Sequence, residues 1–214
     1  MTTTARHVRL QELLDELNPE LEGRGFTRNP AHALWAKNRA DGLLTFVVSF
    51  APDDEEGGWA EPFLGIIDER VETLVATHTN APVTYGLRHT LLVGASRWLA
   101  GPLPRQPLHT TSETLEAANV MLRWMAGALE SFGTRFPAES QLEVLDEFFN
   151  TESAEARRYL QHDLYRALRG VAIRSLTDPD GMTDAMSFHR SRMQETGFWE
   201  AYGEQVRAFV MALT

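Results

Sequence analysis

The amino-acid sequence predicts an α+β protein: an N-terminal helix packed on a three- to four-stranded antiparallel sheet, followed by an all-helical second half. Three observations lead there. Leu10, Leu13, Leu14, Leu17 and Leu21 recur at helical spacing. The apolar run from Leu43 to Phe50 then has the length and the β-branched and aromatic content of a strand. Beyond Gly101-Pro-Leu-Pro-Arg-Gln-Pro107 the apolar residues return to helical spacing up to the C-terminal end.

The first helix is preceded by Thr2 to Thr4 as caps, is expected to break at Pro19, and is stopped by Gly23 and Gly25. From Phe26 the period changes. Ala33–Lys37 and Leu43–Phe50 read as two strands around the turn Arg39–Gly42. Leu44, Phe46, Val48 and Phe50 are expected on the core side, with Thr45 and Ser49 opposite. After the acidic, glycine-ended loop Pro52–Gly58, Ala60–Asp68 forms a third strand, with Pro62 placing its start at an edge. Glu69–Thr77 fits either a continued strand or a short helix, and Leu87–Ala95 a fourth strand.

The proline-stiffened segment is the natural boundary. Domain organisation is read as residues 1–100 (helix plus sheet), 101–111 (connection) and 112–214 (helices), with a shared core left open. Thr110 and Glu113 make a capping-box pattern ahead of a helix from Leu115 to Phe132, with Met121, Leu122, Met125 and Leu129 inward. Pro137 opens a second helix to Phe149. A third runs from about Glu152 to Leu176 and is broken by Thr177-Asp-Pro-Asp-Gly181. Helices over Thr183–Glu195 and Phe198–Leu213 complete the chain.

Composition removes whole classes of chemistry. The chain has 214 residues, 43% of them hydrophobic, which suffices for a core. It has no cysteine, hence no disulfide framework, thiol nucleophile or Cys-ligated zinc. The formal charge of −10 argues against a general nucleic-acid binder, which needs surplus Lys and Arg. The start lacks the apolar segment of a secretory signal. The longest apolar run, Leu43–Pro52, falls far short of the ~20 residues of a membrane span, so a cytoplasmic location is expected.

Motif fragments fail on their contexts. Gly23-Arg-Gly25 follows a helix and lacks the third glycine of a dinucleotide fingerprint. Gly94-Ala-Ser-Arg-Trp98 carries Trp98 where a nucleophile elbow needs glycine, which leaves Ser96 a strand-end serine. Asp178-Pro-Asp-Gly181 has its glycine too early for a calcium loop. The seven histidines are never three or four residues apart, so only a site assembled from His78, His89 and His109 is left as a metal arrangement. No catalytic residue, metal or cofactor is expected.

The charge itself is localised. Residues 53–72 hold eight acids against Arg70 alone, and residues 137–156 hold six and no base. Asp53, Asp54, Glu55 and Glu56 lead into Gly57-Gly58-Trp59 and Glu61, which combines charge, backbone freedom and an aromatic anchor. Glu139, Glu143 and Glu147 stack at helical spacing, a like-charge arrangement that destabilises its own helix slightly. These nine residues are the candidate partner-binding set. Arg158, His162, Arg166 and Arg169 form a basic stripe opposite Leu160, Leu164, Leu168 and Val171. That stripe is expected either to neutralise the acidic one or to bind an anion.

The segments GRGFTRNP, HALWAKNRADGLLTFVVSF and EPFLGI, in that order after an amphipathic helix, resemble a bacterial domain-of-unknown-function family. In that family a helix-then-GF start leads into three or four antiparallel strands. The resemblance covers residues 5–100; it implies an immunity role beside toxin or secretion loci and brings no catalytic residues. The expectation is thus a non-enzymatic acidic protein that binds a basic protein, an immunity-type inhibitor of a bacterial toxin, without nucleic acid or membrane. The alternatives are a small hydrolase or transferase with an unrecognised site, and a ligand-sensing or scaffold module. The last would use Met121, Trp124, Met125, Met182, Met186 and Met193 as a groove.

Overall fold

The computed structural model describes residues 2–29, 31–39, 42–53, 57–79, 88–99, 101–160 and 162–214, with side chains from residue 8 onward. The chain divides into two compact units. The first comprises Met1–Ile67, Tyr85–Leu87 and Leu91–Arg135; the second comprises Asp68–Thr84, Arg88–Thr90 and Phe136–Thr214. The division therefore passes through the chain at several points, and does not fall on the proline-rich segment.

In the first unit, helix α1 (Thr2–Gly23) buries Leu13, Leu14, Leu17 and Leu21 along one stripe. It runs uninterrupted through Pro19, where a break was expected. Proline removes one backbone donor, and the burial of Leu17 and Leu21 on either side holds the helix together across it. Termination follows the predicted glycines. Gly25 adopts φ of 83°, its N–H donates to the Glu22 carbonyl, and the Phe26 N–H donates to the Leu21 carbonyl. That bond pair is a Schellman stop, and Phe26 just beyond the glycine is buried.

The sheet contains β1 (Thr27–Asn29), β2 (Leu34–Arg39), β3 (Gly42–Pro52), β4 (Gly58–Asp68), β5 (Leu91–Gly94) and β6 (Gln106–Pro107). Six strands, counted among the described residues, replace the expected three or four. They are antiparallel in the order β1-β2-β3-β4-β5, with β6 also pairing β4. The extra strands are the shortest, β1 against Trp35 and its neighbours and β6 opposite Trp59 and Ala60. In β3 the expected one-sided burial does not hold. Thr45 and Val47 are as buried as Phe46, because this strand is internal to the sheet and covered on both faces.

Helix α3 (Thr111–Arg135) closes the first unit and packs against α1. Its inward stripe is Ala117, Ala118, Met121, Met125, Ala128 and Phe132, with Leu122 and Leu129 only half-buried. The capping box at its start is formed as predicted. Glu113 accepts from the His109 and Thr110 N–H groups at 2.9 and 3.0 Å, and its own N–H donates to Thr110 Oγ1 at 3.1 Å. The His109 N–H bond foremost, joined by the Thr110 bonds and the His109 charge and opposed by desolvation, holds the Glu113 carboxyl below the usual carboxylate range. Thr110→Ala is expected to lower unfolding stability by about 1 kcal/mol, read from the urea midpoint at unchanged slope.

The second unit is helical: α2 (Glu69–His78), α4 (Gln141–Asn150), α5 (Ala154–Tyr159), α6 (Asp163–Thr177), α7 (Met182–Glu195) and α8 (Phe198–Leu213). Glu69–Thr77 thus resolves as helix, capped by Asp68, whose Oδ1 accepts from the Arg70 and Val71 N–H groups. Two expected helices change. Pro137 does not open a helix; α4 begins at Gln141, which leaves Glu139 in the preceding turn. The long third helix is divided at Leu160, so Arg158 lies on α5 while Arg166 and Arg169 lie on α6. Every residue of α6 from Arg166 to Ile173 is buried, and the helix packs against α2, α4, α7 and α8. It has no solvent face over that span.

Candidate functional site

Gly57 and Gly58, which follow the acidic run in sequence, sit in close backbone packing in the first unit. A Cβ on Gly57 would lie 2.5 Å from His109 Cδ2 and 2.7 Å from the Leu108 carbonyl. A Cβ on Gly58 would lie 2.5 Å from the Ala51 carbonyl. The two glycines are therefore dictated by proximity, and the chain beyond them is held against β6 and the start of α3.

That packing positions Trp59. Its residue is 42% exposed, while its ring meets the His109 imidazole edge-on with centroids 5.8 Å apart. His109 Nε2 lies 2.7 Å from Asp53 Oδ2, and its Nδ1 lies 3.4 Å from Glu113 Oε2. Asp53 and Trp59 are thus brought together around one imidazole. Asp54, Glu55 and Glu56 lie outside the described residues. His109 is the member that sequence reasoning missed as part of this site. Its only local signal was its place immediately before the Thr110 capping box.

Glu61 departs from the exposed role expected of it. It is 5% exposed, and its Oε1 accepts from the Ser96 N–H at 3.1 Å and the Ser96 hydroxyl at 2.5 Å. Its Oε2 pairs with Arg105 Nε at 3.1 Å. The carboxylate fixes the 3₁₀ turn Ala95–Arg97, and its polar atoms are turned to the protein. The Ser96 hydroxyl is held by a carboxylate, with no imidazole at the same group among these contacts.

The other acidic candidates belong to the second unit. Glu143 and Glu147 are exposed one turn apart on α4, and Glu139 is exposed ahead of it. The ion pair that joins α4 to α6, Asp146 with Arg174 at 2.9 Å, involves neither the acidic stack nor the basic stripe.

The stripe itself does not exist as a surface. Arg158 is half-buried on α5, and His162 is exposed and caps α6, its Nδ1 accepting from the Tyr165 N–H. Arg166 and Arg169 are 0% and 1% exposed. Arg169 Nε and Nη2 reach Glu72 at 2.9 and 2.8 Å, Nε also donates to the His89 carbonyl at 2.8 Å, and the guanidinium lies 3.7 Å from the Tyr165 ring centroid. Arg166 donates to the Phe149 and Thr151 carbonyls and lies over Phe188. Burial, more than neighbouring charge, brings its pKa down to about 10, so it is cationic at neutral pH.

Beside it, His189 Nε2 meets Asn150 Oδ1 at 2.8 Å, and Asn150 Nδ2 donates to the Gly170 carbonyl and to Asp146. Glu152 sits among Arg157, Arg166 and Arg192. Partial burial raises its pKa, but the Arg157 hydrogen bond and the three cationic charges outweigh that and hold it below the usual value.

The methionines proposed for a groove are mostly core. Met121, Met125, Met182 and Met193 are buried. Among the described residues no three His, Asp or Glu side chains are grouped to hold a metal ion, and no helix is long and apolar enough to cross a membrane.

No protein-family model, curated protein or solved structure matches the chain. The local geometry is therefore the basis for a functional reading.

Proposed function

We propose that the chain is a non-enzymatic, cytoplasmic protein-binding protein that engages a basic partner, in the manner of an immunity-type inhibitor of a bacterial toxin. Asp53, Asp54, Glu55, Glu56 and Trp59 of the first unit supply the contact; the exposed Glu139, Glu143 and Glu147 belong to the second unit and add to the negative charge of the chain as a whole. The observation that carries this is Trp59, half-exposed yet pinned by His109 and the two close-packed glycines. An anchor ordered before binding loses little side-chain freedom on association. The acid run next to it attracts a basic partner from a distance and raises the association rate, an effect that salt screens.

The test is affinity capture from the native host, paired with co-expression against the captured protein. Wild type is expected to retain a basic protein at low salt, release it at high salt, and suppress its toxicity. Trp59→Ala is expected to weaken that complex by about thirtyfold, the effect of losing a hot spot worth about 2 kcal/mol. Retention of the same proteins by wild type and Trp59→Ala, without protection on co-expression, counts against the proposal.

A further inference from the structure

We propose that Arg157, Arg166 and Arg192 form a binding site for a tetrahedral oxyanion of the phosphate type, which the Glu152 side chain occupies from within the chain. Three guanidinium groups converge on this one carboxylate. Arg157 Nε lies 2.5 Å from Glu152 Oε1, and Arg192 Nη1 lies 3.2 and 3.0 Å from Oε1 and Oε2. Arg166 Nη1 stands 3.6 Å from Oε2, beyond hydrogen-bond reach, and is a buried donor with no hydrogen-bond partner. A planar carboxylate offers two oxygens to these groups. A tetrahedral oxyanion offers further oxygens out of that plane, and one of them can meet the orphaned nitrogen.

Two of the three cations are held by groups other than Glu152. Arg166 is fixed by the Phe149 and Thr151 carbonyls at 2.9 and 2.6 Å. Arg192 Nε is fixed by Asp163 Oδ1 at 2.7 Å, and Asp163 Oδ2 is in turn bound by the Thr196 hydroxyl. The occupant is the less constrained party. Glu152 lies in the short connection between α4 and α5, and its side chain is 31% exposed. Among the described contacts, removing it leaves Asp163 as the carboxylate still paired with these three arginines, and the neutral His189 adds no charge. The exposed Arg157 marks the open side, where the substituent of a phosphomonoester can extend into solvent.

Calorimetric titration with inorganic phosphate and, separately, O-phosphoserine tests this at constant ionic strength. Glu152→Gln keeps the size of the side chain and removes its charge, and Glu152→Ala provides a second vacated form. Both are expected to bind phosphate about tenfold tighter than wild type, because the internal carboxylate no longer competes. Adding Arg157→Ala, at a position exposed enough to spare the fold, is expected to reverse that gain. Tighter binding of O-phosphoserine than of phosphate identifies a phosphomonoester as the ligand, and equal or weaker binding identifies the free ion. The proposal is overturned if neither Glu152 variant binds phosphate more tightly than wild type, or if Arg157→Ala leaves the affinity unchanged.

Discussion

Arg169→Met is expected to lower the unfolding free energy by about 3–5 kcal/mol, the usual cost of removing one partner from a buried ion pair. The pair is Arg169 with Glu72, joined through two guanidinium nitrogens at 2.9 and 2.8 Å, and both residues are buried. Removing the cation leaves the Glu72 carboxylate with the Thr90 hydroxyl, which donates to its Oε1 at 3.0 Å, and no countercharge in these contacts. The His89 carbonyl loses a donor as well, although the Tyr165 hydroxyl still donates to it. Burial holds that tyrosine's pKa above its ordinary value, so it remains a donor across the neutral range.

Methionine fills much of the arginine stem, so the loss reports on charge more than on volume. The companion variant separates the two. Glu72→Gln/Arg169→Met removes the uncompensated charge and is expected to recover at least half of the loss in urea denaturation. A single-variant loss below about 1 kcal/mol would show that the carboxylate is not stranded, and that the pair contributes little.

What could be read from the sequence was local. The α1 stripe, its Schellman stop at Gly25 and the Thr110–Glu113 box depend on residues within about five positions of one another, and each forms as expected. The errors arise where a distant partner decides. Arg166 and Arg169 read as part of a basic stripe because charge at helical spacing usually lies outside, yet both are buried. Glu72 stands 97 residues away in sequence, and no periodicity along α6 registers it. The same holds for β6, whose two residues become a strand only by pairing with β4. At the candidate site, Trp59 and the acid run were legible as composition. Glu61 was not, because its burial depends on Ser96 and Arg105, 35 and 44 positions on. His109 escaped for the same reason, since Asp53 lies 56 positions before it.

Titration of His189 is expected to make the protein lose about 2 kcal/mol of stability between pH 7 and pH 5, beyond the contribution of its carboxylates. The imidazole is 1% exposed, and a Cβ on Gly170 would lie 2.3 Å from its Nε2, so the ring is packed against the backbone of α6. Burial first, then the charges of Arg166 and Arg192, lowers its pKa from 6.5 to about 3. The folded protein thus holds the neutral ring, while the unfolded chain takes up a proton near its ordinary value. The contribution is complete above pH 6.5 and declines as pH falls toward 3, by up to about 1.4 kcal/mol per pH unit. His189→Gln keeps a donor for Asn150 Oδ1 and does not titrate. Its absolute stability at pH 7 is expected to be lower, because the amide fills less of the space beside Phe188. The decisive quantity is the difference between pH 7 and pH 5, measured by urea denaturation of both proteins. Wild type should lose about 2 kcal/mol more than the variant over that interval. Equal losses would mean that the buried ring accepts a proton in the folded state at no greater cost than in the unfolded chain, with Arg166 and Arg192 too well screened to oppose it.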